Sequence, residues 1–347
     1  YSKDKSKVPS AGFASNADNS LKGKISRFLR GNFFIPDPRR GWNRYSYKKA
    51  CEIINNEDIK HIITTSPPHS TQLIGNKLKK RFPDINWICD LRDTWTDIYY
   101  YNLFYPTRIA KAIDSVYEKR VLKNADHVIT VGNNLAEVFK GKSVAVDKKT
   151  QIIPNGYDDE DFKGIGPVLP ERFTLTYVGT ISASYPIKPL LDALGNIHYE
   201  GRDFLLRFVG NIPENVKSHI RSIIPGNKTE FISYVTHSEA IKLMAASSML
   251  ILLIPLTEKN NAITPGKVFE YIATGKDVLY IGPPDGDAAF HLKHCRYSGI
   301  FDGSNISHIT DFIREAGSTS KSFQWLGFPE YSRKNQTGRI SEVLNNK

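Results

Sequence analysis

Short, uninterrupted apolar runs alternate with helix-like segments from about residue 42 onward, and few folds accept that pattern. The first runs are "HIITTS" (61–66), "NWICDL" (86–91), "HVITV" (127–131) and "TQIIP" (150–154), with helical spacing over 42–55, 71–81, 107–124 and 133–139. A stretch rich in Gly, Pro and acids, "PNGYDDEDFKGIGPVLPE" (154–171), interrupts the pattern and reads as a linker. The runs "FTLTYVG" (173–179), "LLRFVG" (205–210), "EFIS" (230–233), "MLILLIP" (249–255) and "DVLYIG" (277–282) then follow. Helices are expected near 188–196, 214–224, 238–246, 267–274, 288–294 and 306–316, and a last amphipathic one over 333–344. Continuously apolar strands alternating with helices predict a parallel sheet covered on both faces. The linker makes two of them. The predicted fold is therefore α/β, two doubly wound parallel-sheet domains over residues 1–160 and 161–330, with residues 331–347 a terminal helix. A length of 347 residues agrees, since single cores stop growing at roughly 250–300 residues.

Other classes are set aside on composition. No apolar run approaches the roughly 18 residues needed to cross a bilayer. Cys51, Cys89 and Cys295 are far apart and form no CxxC pair, which argues against a zinc site or a disulfide framework and fits a reducing cytoplasm. The net charge of +11 is concentrated early: Lys22, Lys24, Arg27, Arg30, Arg39, Arg40, Arg44, Lys48 and Lys49 face only Asp37 between Leu21 and Lys49. Aromatics interleave them in "RFLRGNFFIPDPRRGWNRYSYKK" (27–49). Such a segment suits nucleic acid, an anionic membrane surface or plain solvation. No nucleic-acid-binding motif accompanies it, so nucleic acid is not expected as a partner. The stretch up to about Ser20 is polar, without a strand or signal-peptide pattern.

Ligands of open parallel sheets bind beyond the carboxyl ends of the strands. Four loops there carry polar or small groups: "TTSPPHS" (64–70), "DLRDTWTD" (90–97), "GTISASYP" (179–186) and the segment after 249–255, "ITPGKVFEYIATGKDVLYIG" (263–282). Domains facing across a cleft would bring all four to one site. In the last, Pro265 and Gly266 stand just ahead of a helix whose first N–H groups are free to bind an anion. Lys267 adds a full charge, which suits a diphosphate. Glu270 lies one turn on along the same side and can accept two hydrogen bonds, as from a ribose diol. Diphosphate plus ribose means a nucleotide; a glutamate merely favouring a first helical turn is the plainer alternative.

"TPGKVFEYIATGKDVL" resembles the donor-binding segment of glycosyltransferase family 4. "PNGYDDEDF", "FTLTYVGT" and "RDTW" agree with it, and "RGNFFIPDPRRGW" and "SPPHS" resemble a bacterial branch that builds surface polysaccharides. The resemblance covers residues 30–347 and implies the GT-B fold, two Rossmann-like domains with the donor nucleotide in the second and the acceptor in the first. It further implies a retaining transfer from a nucleotide-sugar, UDP first and GDP second, to a saccharide or lipid-linked acceptor. No metal or other cofactor is implied, and the enzyme would be cytoplasmic, peripheral on the inner face of the membrane. Carried onto this chain, Glu270 would hold the ribose and Lys267, with Pro265 and Gly266, the diphosphate. The turn at Gly179 and Thr180 would let backbone approach the phosphates, and the base would rest near Tyr234 and Val235. Asp93 would orient sugar hydroxyls, Arg92 would pair with phosphate or with Asp93, and His69 would reach the acceptor or serve in capping or packing.

The chain departs from the family pattern in three places. Ala262 stands where the common Glu-x7-Glu pattern would have its first glutamate. The basic residue usual after the Gly179 turn has only Lys188 as a candidate, four residues before Asp192. A family-like chain would also carry roughly one more βα unit before Tyr1. A catalytically degenerate nucleotide binder and a nucleotide-sugar epimerase are the alternatives.

Overall fold

The computed structural model describes residues 20–165, 170–182, 184–293, 298–318 and 328–345. Cys295 and residues 166–169 of the expected linker lie outside them. In chain order the elements are α1 (Leu21–Phe33), α2 (Asn43–Asn56), β1 (His61–Ser66), α3 (Ser70–Arg81), β2 (Asn86–Leu91), α4 (Arg108–Asn124), β3 (His127–Thr130), α5 (Asn133–Lys140) and β4 (Thr150–Ile152). There follow β5 (Thr174–Val178), α6 (Ile187–Tyr199), β6 (Leu205–Val209), α7 (Glu214–Ile223), β7 (Thr229–Ile232), α8 (His237–Ala245) and β8 (Met249–Leu253). The last are α9 (Lys267–Thr274), β9 (Asp277–Ile281), α10 (Asp287–Lys293), β10 (Ser298–Phe301), α11 (Ile306–Ser318) and α12 (Arg333–Asn345). Every strand expected from the apolar runs is present. α1 and β10 were not expected.

The described residues divide into two compact units, one of 20–155 with 335–345 and the other of 156–334. In the first, four parallel strands lie in the order β1-β2-β3-β4. Strands advancing in one direction through right-handed crossovers place their helices on one face. Trp87 of β2 stands on that face. Its indole donates to Thr64 Oγ1 at 2.8 Å, and a Cβ on Gly75 of α3 would lie 2.3 Å from its Nε1, so only glycine lets α3 approach. The next residue points the other way. Ile88, with Ile129 and Ile153, is covered there by Ile340, Val343 and Leu344 of α12. α3 begins where the Asp37 carboxylate accepts from the backbone N–H and hydroxyl of Ser70, at 2.7 and 2.9 Å. An anionic group on free first-turn donors is worth roughly 0.5–2 kcal/mol.

The second unit has six parallel strands in the order β10-β9-β8-β5-β6-β7. The chain builds outward from β5 through β6 to β7, then returns to the other side of β5 for β8, β9 and β10. Both faces are buried, as the uninterrupted apolar runs require. Ile251 and Leu253 of β8 pack with Leu190 and Leu194 of α6 and Ile309 and Ile313 of α11, while Leu250, Leu252 and Ile254 pack with Ile241, Val268 and Ile272 of α8 and α9. β5 and β8 therefore flank a strand-order reversal, where crossovers diverge and leave a crevice.

A candidate nucleotide site at the strand-order reversal

At that crevice β5 and β8 pair only at Leu175–Met249 and Thr176–Leu250, then part. Beyond the parting, the backbone of Val178 has no strand on the β8 side. Two side chains of α9 take its place. The Tyr271 hydroxyl accepts from Val178 N–H at 3.1 Å and donates to Ile251 O at 3.2 Å, bridging the opened strands. Lys267 Nζ donates to Val178 O at 2.9 Å. The two residues are four apart, so both fall on one helical face. Sequence reasoning found Lys267 and missed Tyr271, whose position one turn along the same face was the available signal.

The Lys267 ammonium lies 3.8 Å from the centroid of the Tyr177 ring, and Gly179 closes over it. Gly179 has φ +128, and a Cβ there would come 3.3 Å from Nζ. The carbonyl of Thr180 accepts from the Tyr177 hydroxyl at 2.8 Å, fixing the turn. Burial drives the Lys267 pKa down to about 7, against the opposing pull of Glu270. α9 starts directly after Pro265 and Gly266, with no side chain capping its first N–H groups, and ends at Gly275, φ +63. The β5 turn, the α9 N-terminus and Lys267 thus meet at one place. Val268 N and Phe269 N bond back to Pro265 O and Gly266 O, so it is the enclosed cation, at the positive end of α9, that can meet and neutralise a diphosphate.

Glu270 sits one turn further along. Burial raises its pKa, opposed by the charges of His237 and Arg333. His237 Nε2 lies 3.9 Å from Glu270 Oε1 and 2.9 Å from Asp161 Oδ2. His237 opens α8, whose Thr236–Glu239 capping box fixes that end. No spacing in the sequence groups these residues, since His237 and Asp161 are 76 positions apart. After β7, Tyr234 is largely exposed, while Val235 packs on the core beside Val268. Ala262 is buried. Lys188 is exposed and paired with Asp192 at 2.6 Å on α6.

The first unit carries the remaining sequence-read residues. Arg92 does not pair with Asp93. Its Nε donates to Asp90 Oδ2 at 2.8 Å and its Nη1 to Asn155 Oδ1, which pins the loop after β2. Asp93 keeps a solvent-open edge, yet the chain crowding its carboxyl raises its pKa to about 6. His69 is buried and stacked on Trp95, centroids 4.9 Å apart, with both ring nitrogens shut off from solvent. Its burial outweighs the pull of Asp37 and lowers the pKa to about 4, leaving a neutral imidazole near pH 7. Trp95 is held by its Nε1 donating to Asp114 at 2.8 Å.

No protein-family model matches the chain, and no curated protein matches it. Solved structures do. The lipopolysaccharide outer core galactosyltransferase WaaB, in its apo form, aligns over 88% of this chain and 80% of its own with a TM-score of 0.58 and 12% identity. Sucrose-phosphate synthase from Thermosynechococcus elongatus aligns over 88% and 78%, with a TM-score of 0.55 and 14% identity. A glycosyltransferase from Rickettsia africae ESF-5 aligns over 87% and 76%, with a TM-score of 0.54 and 17% identity. Together with two parallel-sheet α/β units of four and six strands, these likenesses show a two-domain, Rossmann-like GT-B fold.

Proposed function

We propose that the chain is a glycosyltransferase that moves a sugar from a nucleotide-sugar, UDP-linked in the first instance, to a saccharide or lipid-linked acceptor in surface-polysaccharide synthesis. The observation that carries this reading is the meeting of Lys267, the α9 N-terminus and the Gly179 turn at the strand-order reversal, with Glu270 one turn on. The diphosphate would be held by Lys267 at the N-terminal end of α9, where the Gly179–Thr180 turn lets backbone approach it closely, and the ribose by Glu270. His237, which faces the same carboxylate, would orient it. The transfer would retain anomeric configuration, with no metal and no protein nucleophile. Lys267 at the positive end of α9 would stabilise the leaving diphosphate while an acceptor hydroxyl attacks an oxocarbenium-like sugar on the same face and gives its proton to the departing phosphate oxygen. On the acceptor side, the exposed Asp93 would meet sugar hydroxyls, while His69, buried against Trp95, would serve in packing that loop. The galactosyltransferase WaaB supports a role in lipopolysaccharide-type synthesis by structural likeness alone.

The buried alanine at 262 favours a second reading, nucleotide binding without turnover. Donor hydrolysis or transfer above the background of the Glu270→Gln variant separates the two.

Thermal unfolding with UDP, GDP, ADP and TDP tests the site itself. One nucleotide at about 100 times its Kd should stabilise the protein by about 2.7 kcal/mol, and Glu270→Gln should remove most of that shift. Failure of all four nucleotides to raise the unfolding temperature would overturn the reading.

A further inference from the structure

α1 is an amphipathic helix mounted the wrong way round. A helix of a globular protein ordinarily turns its apolar stripe to the core, yet none of the residues of α1 is buried. Leu21, Ile25, Leu29 and Phe33 recur every four positions and share one side; Leu21 is 75% and Phe33 72% exposed. What fastens the helix is mainly polar or aromatic and lies towards its C-terminal end. Asn32 Nδ2 donates to Tyr105 O at 3.1 Å and its Oδ1 accepts from Thr107 N at 2.7 Å. Gly31 lies flat against Phe104, where a Cβ would stand 2.4 Å from the carbonyl oxygen, and the Arg30 guanidinium covers the Phe104 ring at 4.8 Å.

The outward stripe continues into a groove of about 470 Å³ lined by Lys22, Ile25, Leu29, Arg30, Phe34 and Pro38. Exposed Trp42 and Tyr45 extend the apolar surface along the chain. Basic groups border it from Lys22 to Lys49, where Asp37 is the one acid in the sequence, and its carboxylate is engaged with Ser70. Apolar side chains within a cationic border complement a surface in which hydrocarbon lies directly beneath a layer of anionic phosphates.

We propose that α1, with Phe34 and Trp42, is a docking element for an anionic phospholipid bilayer. The helix lies in the interface, its Leu21–Ile25–Leu29–Phe33 stripe at the acyl boundary and Lys22 and Lys24 at the phosphates. Trp42 occupies the headgroup level, where an indole keeps one end apolar and the other wet. This inference does not depend on the nucleotide site, and a failed nucleotide test leaves it standing.

Co-sedimentation of the full chain with vesicles tests it, using phosphatidylcholine alone and phosphatidylcholine with about 30% phosphatidylglycerol. The wild type should sediment with the anionic vesicles only, release at high salt, and show a blue shift of the emission that Trp42→Phe removes. Ile25→Glu with Leu29→Glu should lower partitioning by roughly 100-fold. Both positions are on the open side of α1, so the thermal transition should be unchanged. Absence of sedimentation, or sedimentation undiminished in the double variant, overturns the proposal. So does a wild-type dimer that the double variant splits and that binds no vesicles, because the stripe would then face a second copy of the chain.

Discussion

Replacing Lys267 with alanine should lower turnover of the nucleotide-sugar by about two orders of magnitude or more, measured as nucleoside diphosphate released per enzyme. The expectation rests on position. Lys267 Nζ is held 2.9 Å from Val178 O and beneath the Gly179 turn, at the N-terminal end of α9, where it would meet the leaving diphosphate. Removing one preorganised charge of this kind costs roughly 3–4 kcal/mol of barrier. Wild-type-like turnover in the variant would refute the assignment. The same residue sets a pH dependence. Its pKa is about 7 in the folded protein against 10.5 for an ordinary lysine, so between these values the unfolded chain holds a proton that the folded chain has released. The free protein therefore gains stability from this group as pH rises through that window. Diphosphate binding runs the other way, because it needs the charged ammonium. Nucleotide affinity should fall as pH rises above about 7, with a proton taken up on binding. Calorimetry in buffers of different ionisation enthalpy reads that uptake directly; its absence would show that the ammonium does not meet the phosphates.

Gly210→Ala should be the most damaging small substitution in the second unit, at about 3 kcal/mol or more by chemical denaturation. Gly210 follows β6 with φ +128, and a Cβ there would lie 2.4 Å from the carbonyl oxygen of Gly179. The obstacle is backbone, so no side chain can turn aside. Accommodating the methyl would push the Gly179 turn and disturb the roof over Lys267. Gly195→Ala in α6 is the control: nothing lies within 4 Å of the added carbon. It should gain about 0.5–1 kcal/mol from helix propensity. Equal stabilities for the two variants would dismiss the close approach at Gly210.

The parts of the fold that sequence revealed are those with a periodic or punctuated signal. The run at Met249–Leu253 is apolar at every position because both its faces are covered, and no amphipathic element reads that way. α9 was expected over 267–274 and lies there, since Pro265 and Gly266 mark its start and the left-handed Gly275 its end. β10 escaped notice because "SGIF" is short and only partly apolar. α1 was hidden by its inverted pattern, with charges and glycines among apolar residues that no core claims. Within the site, Lys267 and Glu270 share one helix and were legible through spacing. His237 was not, because its partners Asp161 and Glu270 come from other elements and only folding joins them. Of the two partners expected for Arg92, Asp93 was not found, for a related reason. Asp93 is its neighbour in sequence, but the partner it finds, Asp90, lies at the end of β2.

The stretch from Gly156 to Lys334 enters and leaves at one spot: Tyr157 N donates to Tyr331 O at 3.0 Å, and Arg333 N to Tyr157 O at 2.8 Å. It is a cassette set into the other unit, whose first sheet is finished only when Ile340, Val343 and Leu344 arrive over Ile88, Ile129 and Ile153. Domains ordinarily fold in the order in which they leave the ribosome. Here the unit that opens with α1 must wait for Ile340, Val343 and Leu344, while the one inserted within it is complete by Lys334.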